Sequence, residues 1–256
     1  MAPSALAIAA HPDDIELVMA GTLLLLGRAG YELHYMNVAN GSCGTATLDR
    51  EEIVAVRTEE ARRAAAMLGA TFQEQLVDDL QIYYTPALAA RIGAVVRRAR
   101  PQVLLVPSPV DYMEDHINAS RLAVTAAFCR NMRNFVTDPP AAPVADPVAV
   151  YHALPWGLKD PLCRPVRGDM YVDIKDVMAE KRAALACHRS QKEWLDASQG
   201  FDSYLKAMEE MAAGVGRMSG AAEFAEGWQR HNPIGFGPDG FDPLAAALVG
   251  RIILAK

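Results

Sequence analysis

At 256 residues, 51% of them apolar and 22% charged, the chain has the composition of one soluble globular unit with room for a sizeable core. A formal net charge of −6 argues against a duplex-binding surface, which needs clustered Lys and Arg, and the runs Arg62-Arg63 and Arg97-Arg98 read as solvated faces of Ala-rich helices. No segment offers the roughly 18 uncharged apolar residues of a bilayer span, Met1-Ala2-Pro3-Ser4 lacks the basic opening of a signal peptide, and the four cysteines share no close spacing, so reduced thiols in the cytoplasm are expected.

In chain order, Ala5–Ala10 reads as a buried strand, being short, apolar and bounded by polar residues. Ile15 to Gly30 follows with helical character. Leu33–Asn37, Phe72–Val77 and Val103–Pro107 read as further buried strands. Between them Glu51–Leu68, rich in Ala and Glu, predicts a helix that stops at Gly69. Thr85-Pro86 predicts an N-cap and an N1 proline opening a helix over Pro86–Arg98. Beyond the proline-rich loop Asp138–Pro147, Tyr151–Leu154 and Tyr171–Ile174 read as strands, and Asp176–His188, Ser203–Ala213 and the apolar Leu244–Leu254 as helices. Strands alternating with helices imply an α/β protein with a mostly parallel sheet covered on both faces. No repeat is visible. One domain over 1–256, its C-terminal third (about 150–256) wrapping the site, is the simplest account.

Chemistry concentrates after two of the strands. His11-Pro12-Asp13-Asp14 follows the first, and Asp111-Tyr112-Met113-Glu114-Asp115-His116 follows Val103–Pro107. Open α/β sheets place ligand sites at such carboxyl ends. His11, Asp14 and His116 make a two-His, one-carboxylate set of the kind that holds one zinc and leaves a position for water. Such an ion acidifies its water and polarises a carbonyl. Asp13, adjacent to a ligand and itself unligated, is placed to take the proton, and Asp115 to orient a ring or a water. Taken singly, His-Pro-Asp-Asp also fits an Asx turn, and Asp-His a helix cap with a surface histidine. Their joint occurrence at two strand ends favours the metal. Of the other histidines, His34 reads as structural and His152 and His188 as packed against polar groups. His231, beside Asn232-Pro233 in a glycine-rich loop, is the candidate for a catalytic group on the substrate side. The missing G-x-G-x-x-G after the first strand excludes a dinucleotide oxidoreductase.

These residues carry a resemblance. Ala10-His11-Pro12-Asp13-Asp14 with Glu16 and Ala20-Gly21-Thr22 resembles the opening motif of the LmbE-like, or PIG-L, zinc-dependent N-acetylglucosaminyl deacetylases. The likeness continues through Asn40-Gly41-Ser42, Gly44-Thr45, Arg57 with Glu60-Ala61, Ala65 to Leu68-Gly69, and Asp115-His116. It reaches Lys181 to Ala186, His188, Ser190 and Gln191, about the first 195 residues, with a weaker echo at Ala225-Glu226-Gly227-Trp228. The resemblance implies a Rossmann-like fold, one Zn2+ per chain on His11, Asp14 and His116, Asp13 as general base, and hydrolysis of an N-acetyl group from an amino sugar or glycoconjugate. It also implies a homo-oligomer. Arg57 matches the family's Arg-x-x-Glu-Ala arginine and would hold the sugar, with Tyr112 beside it; the alternative for Arg57 is a surface pair with Glu60. One departure stands out. Where many members read His-Pro-Asp-His before the metal, this chain reads Met113-Glu114-Asp115-His116, and Met113 cannot donate a proton. Either His231 or Tyr112 supplies that proton, or Asp13 acts as base and acid in turn. The substrate is therefore left open between an acetylated sugar and a non-sugar N-acyl amine. A catalytically silent sugar- or nucleotide-binding protein would have no use for an unligated carboxylate beside a metal.

Overall fold

Alternation along the first strand decides the layering. In β1 (Ser4–Ala9), Ala5, Ala7 and Ala9 enter one apolar cluster while Leu6 and Ile8 enter another on the opposite face. A strand buried on both faces needs helices on both, and they are present in the computed structural model, which describes residues 2–193 and 203–255. The first face is covered by α2 (Ala20–Arg28), α3 (Arg50–Met67) and α6 (Met178–Leu185), the second by α4 (Pro86–Ala99) and α5 (Glu114–Phe128). The sheet takes its other strands from β2 (Glu32–Asn37), β3 (Ala70–Gln73), β4 (Val103–Val106), β5 (Ala149–Ala153), β6 (Met170–Asp173), β7 (Ala225–Arg230) and β8 (Ile252–Leu254). Their order is β3-β2-β1-β4-β5-β7-β6-β8. The first five are parallel and the last three are added antiparallel, giving the mostly parallel α/β sheet that the sequence predicts. Helix starts follow their caps: Asp49 and Glu52 close a capping box on α3, and Thr85 accepts from Leu88 N with Pro86 at N1 of α4. Among the described residues, no helix is long and apolar enough to cross a membrane.

Five details differ from the sequence reading. The helical stretch 15–30 is two helices, α1 (Asp14–Val18) and α2, broken at Met19. The cause lies on β7: Glu226 accepts from Gly21 N at 2.8 Å and Thr22 N at 2.7 Å, so its carboxylate starts a new helix there. Lys181 Nζ, itself buried, neutralises that carboxylate at 2.5 Å. The strand expected at Phe72–Val77 is β3, starting at Ala70 and ending at Gln73; only Val77 returns, bridging to Ala39. Leu244–Leu254 is not one helix. α8 (Pro243–Ala247) is short, Gly250 turns the chain at φ 83°, and the β-prone Ile252-Ile253-Leu254 adds β8 to the edge of the sheet. Arg97 is buried, donating to the carbonyls of Cys129, Arg130, Met132 and Ala141, so only Arg98 of that pair is a solvated face. Between α6 and β7, α7 (Ser203–Ser219) runs longer than the helix expected over Ser203–Ala213, because its apolar stripe continues to Val215 and Met218.

Candidate metal centre

β1 and β4 are neighbours, but the chain continues from β1 toward β2 and from β4 toward β5. That reversal opens a crevice beyond the strands' carboxyl ends, the usual ligand position in such sheets. The loop after β1 brings His11, Asp13 and Asp14 to it. The segment after β4, running into α5, brings Asp111, Asp115 and His116. Ligand atoms of His11, Asp14 and His116 all lie within 4.8 Å of one another. The Asp14 carboxylate stands between the rings, Oδ2 at 3.6 Å from His11 Nδ1 and Oδ1 at 3.4 Å from His116 Nε2.

A second carboxylate orients each ring from behind. His11 Nε2 lies 2.9 Å from Asp115 Oδ2, and His116 Nδ1 lies 3.0 Å from Asp111 Oδ1. With those two nitrogens donating, loss of the remaining ring proton leaves His11 Nδ1 and His116 Nε2 as lone-pair donors facing Asp14. Such carboxylate–histidine pairs fix ring orientation and raise ligand basicity in metal sites. Two imidazoles and one carboxylate, drawn together with no fourth such ligand among the described residues, fit a divalent cation of the zinc type.

The electrostatics point the same way. Burial disfavours a charged His11, yet its hydrogen bonds to Asp115 and Asp14 outweigh burial and lift its pKa to about 10. Burial likewise opposes charge on His116, and Asp14 and Asp111 overcome it, so that pKa also rises. Asp14 is held well below the usual carboxylate range: burial would raise it, but the two histidines dominate. The crevice thus favours positive charge at its centre.

Asp13 faces another way. Its φ of 97° lies in the left-handed region, which costs a non-glycine residue about 1–3 kcal/mol. The strained turn is clamped on both sides, by Arg57 Nη2 donating to the Pro12 carbonyl at 2.6 Å and by Asn37 Nδ2 donating to the His11 carbonyl at 2.7 Å. So held, Asp13 diverges from Asp14 and accepts from the Tyr204 hydroxyl at 2.7 Å, with Arg57 Nη2 3.7 Å from the same oxygen. Burial pushes the Asp13 carboxyl upward, and Arg57 and Tyr204 only partly offset it. A raised carboxyl pKa moves a group toward the range useful for proton transfer near neutrality.

A cavity of about 390 Å³ lies over these groups. His11, Asp13, Asp14 and His116 line it together with Arg57 and Tyr112. Tyr112 is 56% exposed and sets its ring edge-on to His116, with centroids 5.7 Å apart. Arg57 is not the surface residue of the alternative reading. Its guanidinium is buried, a Cβ at Gly41 or Gly44 would collide with it, and its Nε has no partner. Glu60 is engaged elsewhere, accepting from Ser190 N and Oγ. Asp115 does not line the cavity; it holds His11 and accepts from Leu80 N at 2.7 Å. Met113 lines it at the position of the family histidine.

His231 is not brought to this cavity. It flanks a separate open groove of about 640 Å³, and its Nδ1 lies 3.0 Å from His152 Nε2. His152 Nδ1 lies 3.1 Å from the Pro107 carbonyl and 3.2 Å from Ser120 Oγ, and among the described residues no carboxylate pairs with either ring. Burial lowers both pKa values, that of His152 to about 4. His34 lies on β2, and His188 is fully buried 3.3 Å from Glu16.

Several site residues are given no role by the sequence reading. Asp111, which stands behind His116 and does not line this cavity, carries a usable signal, since it sits five residues before His116 at the same strand end. Tyr204, Trp156 and Gln191 line the cavity but come from the C-terminal third, and only the fold brings them there. Asp79 likewise lines it, its carboxylate holding Gly41 N and Cys43 N at 2.7 and 2.9 Å.

Comparison with known proteins agrees with this geometry. The family model described as PIG-L, GlcNAc-PI de-N-acetylase, matches residues 6–127, which span both ligand segments. A diacetylchitobiose deacetylase of Thermococcus kodakarensis is 30% identical over 228 residues, covering 87% of this chain and 80% of that protein. Among solved structures, a 4-carboxy-2-hydroxymuconate hydratase from Pseudomonas putida superposes with a TM-score of 0.74 at 25% identity, over 90% of this chain and 97% of that one. The N,N'-diacetylchitobiose deacetylase of Pyrococcus horikoshii shares the fold with a TM-score of 0.75 at 23% identity, over 95% of this chain and 89% of that one. On the matched ligand segments and the extent of that identity, the chain belongs to the PIG-L family of de-N-acetylases.

Proposed function

We propose that this protein hydrolyses the N-acetyl group of an amino sugar or glycoconjugate, R–NH–CO–CH3 + H2O giving R–NH3+ and acetate, with one zinc ion held by His11, Asp14 and His116. The observation that carries the reading is the divergence of two adjacent carboxylates: Asp14 joins the imidazoles while Asp13 is turned into the same cavity and held by Tyr204. A bound zinc supplies a Lewis acid that acidifies water and polarises the amide carbonyl. Asp13 takes a proton from the attacking water as its oxygen bonds to the carbonyl carbon. The same carboxyl then returns that proton to the amine nitrogen as the C–N bond breaks. With Met113 unable to donate and His231 lining another groove, Asp13 is the group on the cavity wall suited to both transfers. Arg57 and Tyr112 hold the sugar at the cavity wall.

The likeness to a hydratase of a carboxylated substrate raises a second reading, and the lining argues against it. Asp13, Asp14 and Asp79 face the cavity, and the charge of Arg57 is already answered by Asp13, which leaves its unpartnered Nε to donate to a neutral group. A neutral acetylated sugar suits such a wall better than a carboxylate-rich acid.

The test is metal content and amine release on N-acetylglucosamine and diacetylchitobiose, in wild type, Asp14→Ala and Asp13→Asn. We expect about one zinc per chain, lost in Asp14→Ala. Asp13→Asn should retain zinc and lose roughly 10²–10⁴-fold in kcat. Zinc binding without amine release from any acetylated amine would overturn the reading.

A further inference from the structure

Beside the metal ligands lies a second, much smaller cavity of about 20 Å³. Asp14, His116, Leu17 and Trp156 line it and the large cavity alike, so it lies directly against the reaction centre. Its remaining wall is Val18, Met19, Pro107 and Leu154, with Ser108 and Asp111 on the side of His116. A cavity needs about 10–15 Å³ to admit one water, so this one admits a single group of water or methyl size. We propose that it receives the methyl end of the acyl group and restricts the protein to acetyl amides. This rests on the deacetylase reading above and adds an acyl-length limit to it.

The limit has a physical origin one side chain thick. Leu17, Val18 and Leu154 also line a further cavity of about 10 Å³, which reaches Met211, Val215 and the buried Lys181–Glu226 pair. Those three side chains therefore form the wall that the two spaces share. Leu154 is held in the partition by close packing on β7, where a Cβ at Gly227 would fall 2.5 Å from Leu154 Cδ1. An acetyl methyl ends before the partition, whereas a propionyl or butanoyl chain meets it. Apolar pockets discriminate one misfitting methylene by roughly 10–200-fold. Leu154→Ala deletes three carbons from the partition and joins the two spaces.

The experiment uses the zinc-supplied full chain on N-acetyl-, N-propionyl-, N-butanoyl- and N-hexanoylglucosamine, with amine release as the rate. In parallel, calorimetry measures binding of acetate, propionate and butanoate, a readout independent of turnover. We expect kcat/KM to fall about tenfold or more at propionyl and further at butanoyl, with carboxylate affinity falling in the same order. Leu154→Ala should move the preference toward propionyl or butanoyl. Should that variant not fold, Val18→Ala trims the same partition and should narrow the acetyl-to-propionyl ratio. Equal kcat/KM for acetyl and butanoyl amides in wild type would overturn the pocket while leaving the deacetylase reading intact. Absence of release from every amide would overturn that reading, and the carboxylate series would still decide the pocket: equal affinities remove it, a steep fall keeps it.

Discussion

Two histidine pairs in this molecule show opposite electrostatics. At the candidate metal centre, His11 and His116 each have a carboxylate behind the ring and share Asp14 in front, and both pKa values rise. In the neighbouring groove, His152 and His231 face each other with a backbone carbonyl behind, and burial lowers both. The residue type is the same and the burial comparable in kind. The difference is the second carboxylate, which turns a buried imidazole from a neutral packing group into an oriented, electron-rich donor for a cation. A histidine becomes a ligand through what stands behind it.

The comparison can be sharpened most strongly through pH. Folding depresses the His152 pKa from 6.5 to about 4, so the unfolded chain takes up its proton first. The stability that this neutral ring contributes is complete above about pH 6.5 and is lost as pH falls toward 4, about 3 kcal/mol in all. His152→Gln should flatten that part of the pH dependence, read as urea midpoints between pH 7 and 4; an unchanged slope would show that the groove does not keep its ring neutral. Next in size, Asp111→Asn and Asp115→Asn should each weaken zinc binding about 10–100-fold, measured by chelator competition. Wild-type affinity in both would break the argument that the rear carboxylates make the ligands.

Smaller again, Tyr204→Phe removes the hydrogen bond to Asp13 and should lower kcat about tenfold with KM and zinc content little changed. A change confined to KM would instead place Tyr204 on the substrate. The smallest effect is expected from His231→Ala, whose zinc stoichiometry should match wild type. Loss of zinc there would join the two histidine pairs into one system.

Much of this was legible in the chain, for reasons that can be named. Four of the five parallel strands announce themselves through short apolar or β-prone runs, β3 ending at Gln73 where the run Phe72–Val77 suggested more, and the candidate ligands through their place just after two of those runs. Distance erased the rest. The break between α1 and α2 looks like continuous helix, because Glu226, which makes it, lies over 200 residues away. Tyr204 is an ordinary helical tyrosine until α7 packs it over Asp13. His231 drew notice for its glycine-rich surroundings, but nothing local reveals that its partner is another imidazole.

The Glu226 cap has a consequence for how far the site can be divided from its scaffold. The three candidate ligands, and Asp13 with them, lie within the first 116 residues, which makes an N-terminal fragment tempting as a minimal metalloprotein. Such a fragment would carry the ligands without Glu226 to end the helix that bears Asp14, and without Tyr204 to hold Asp13. The centre is therefore not portable: grafting it elsewhere means transplanting a strand and a helix from the far end of the chain along with it.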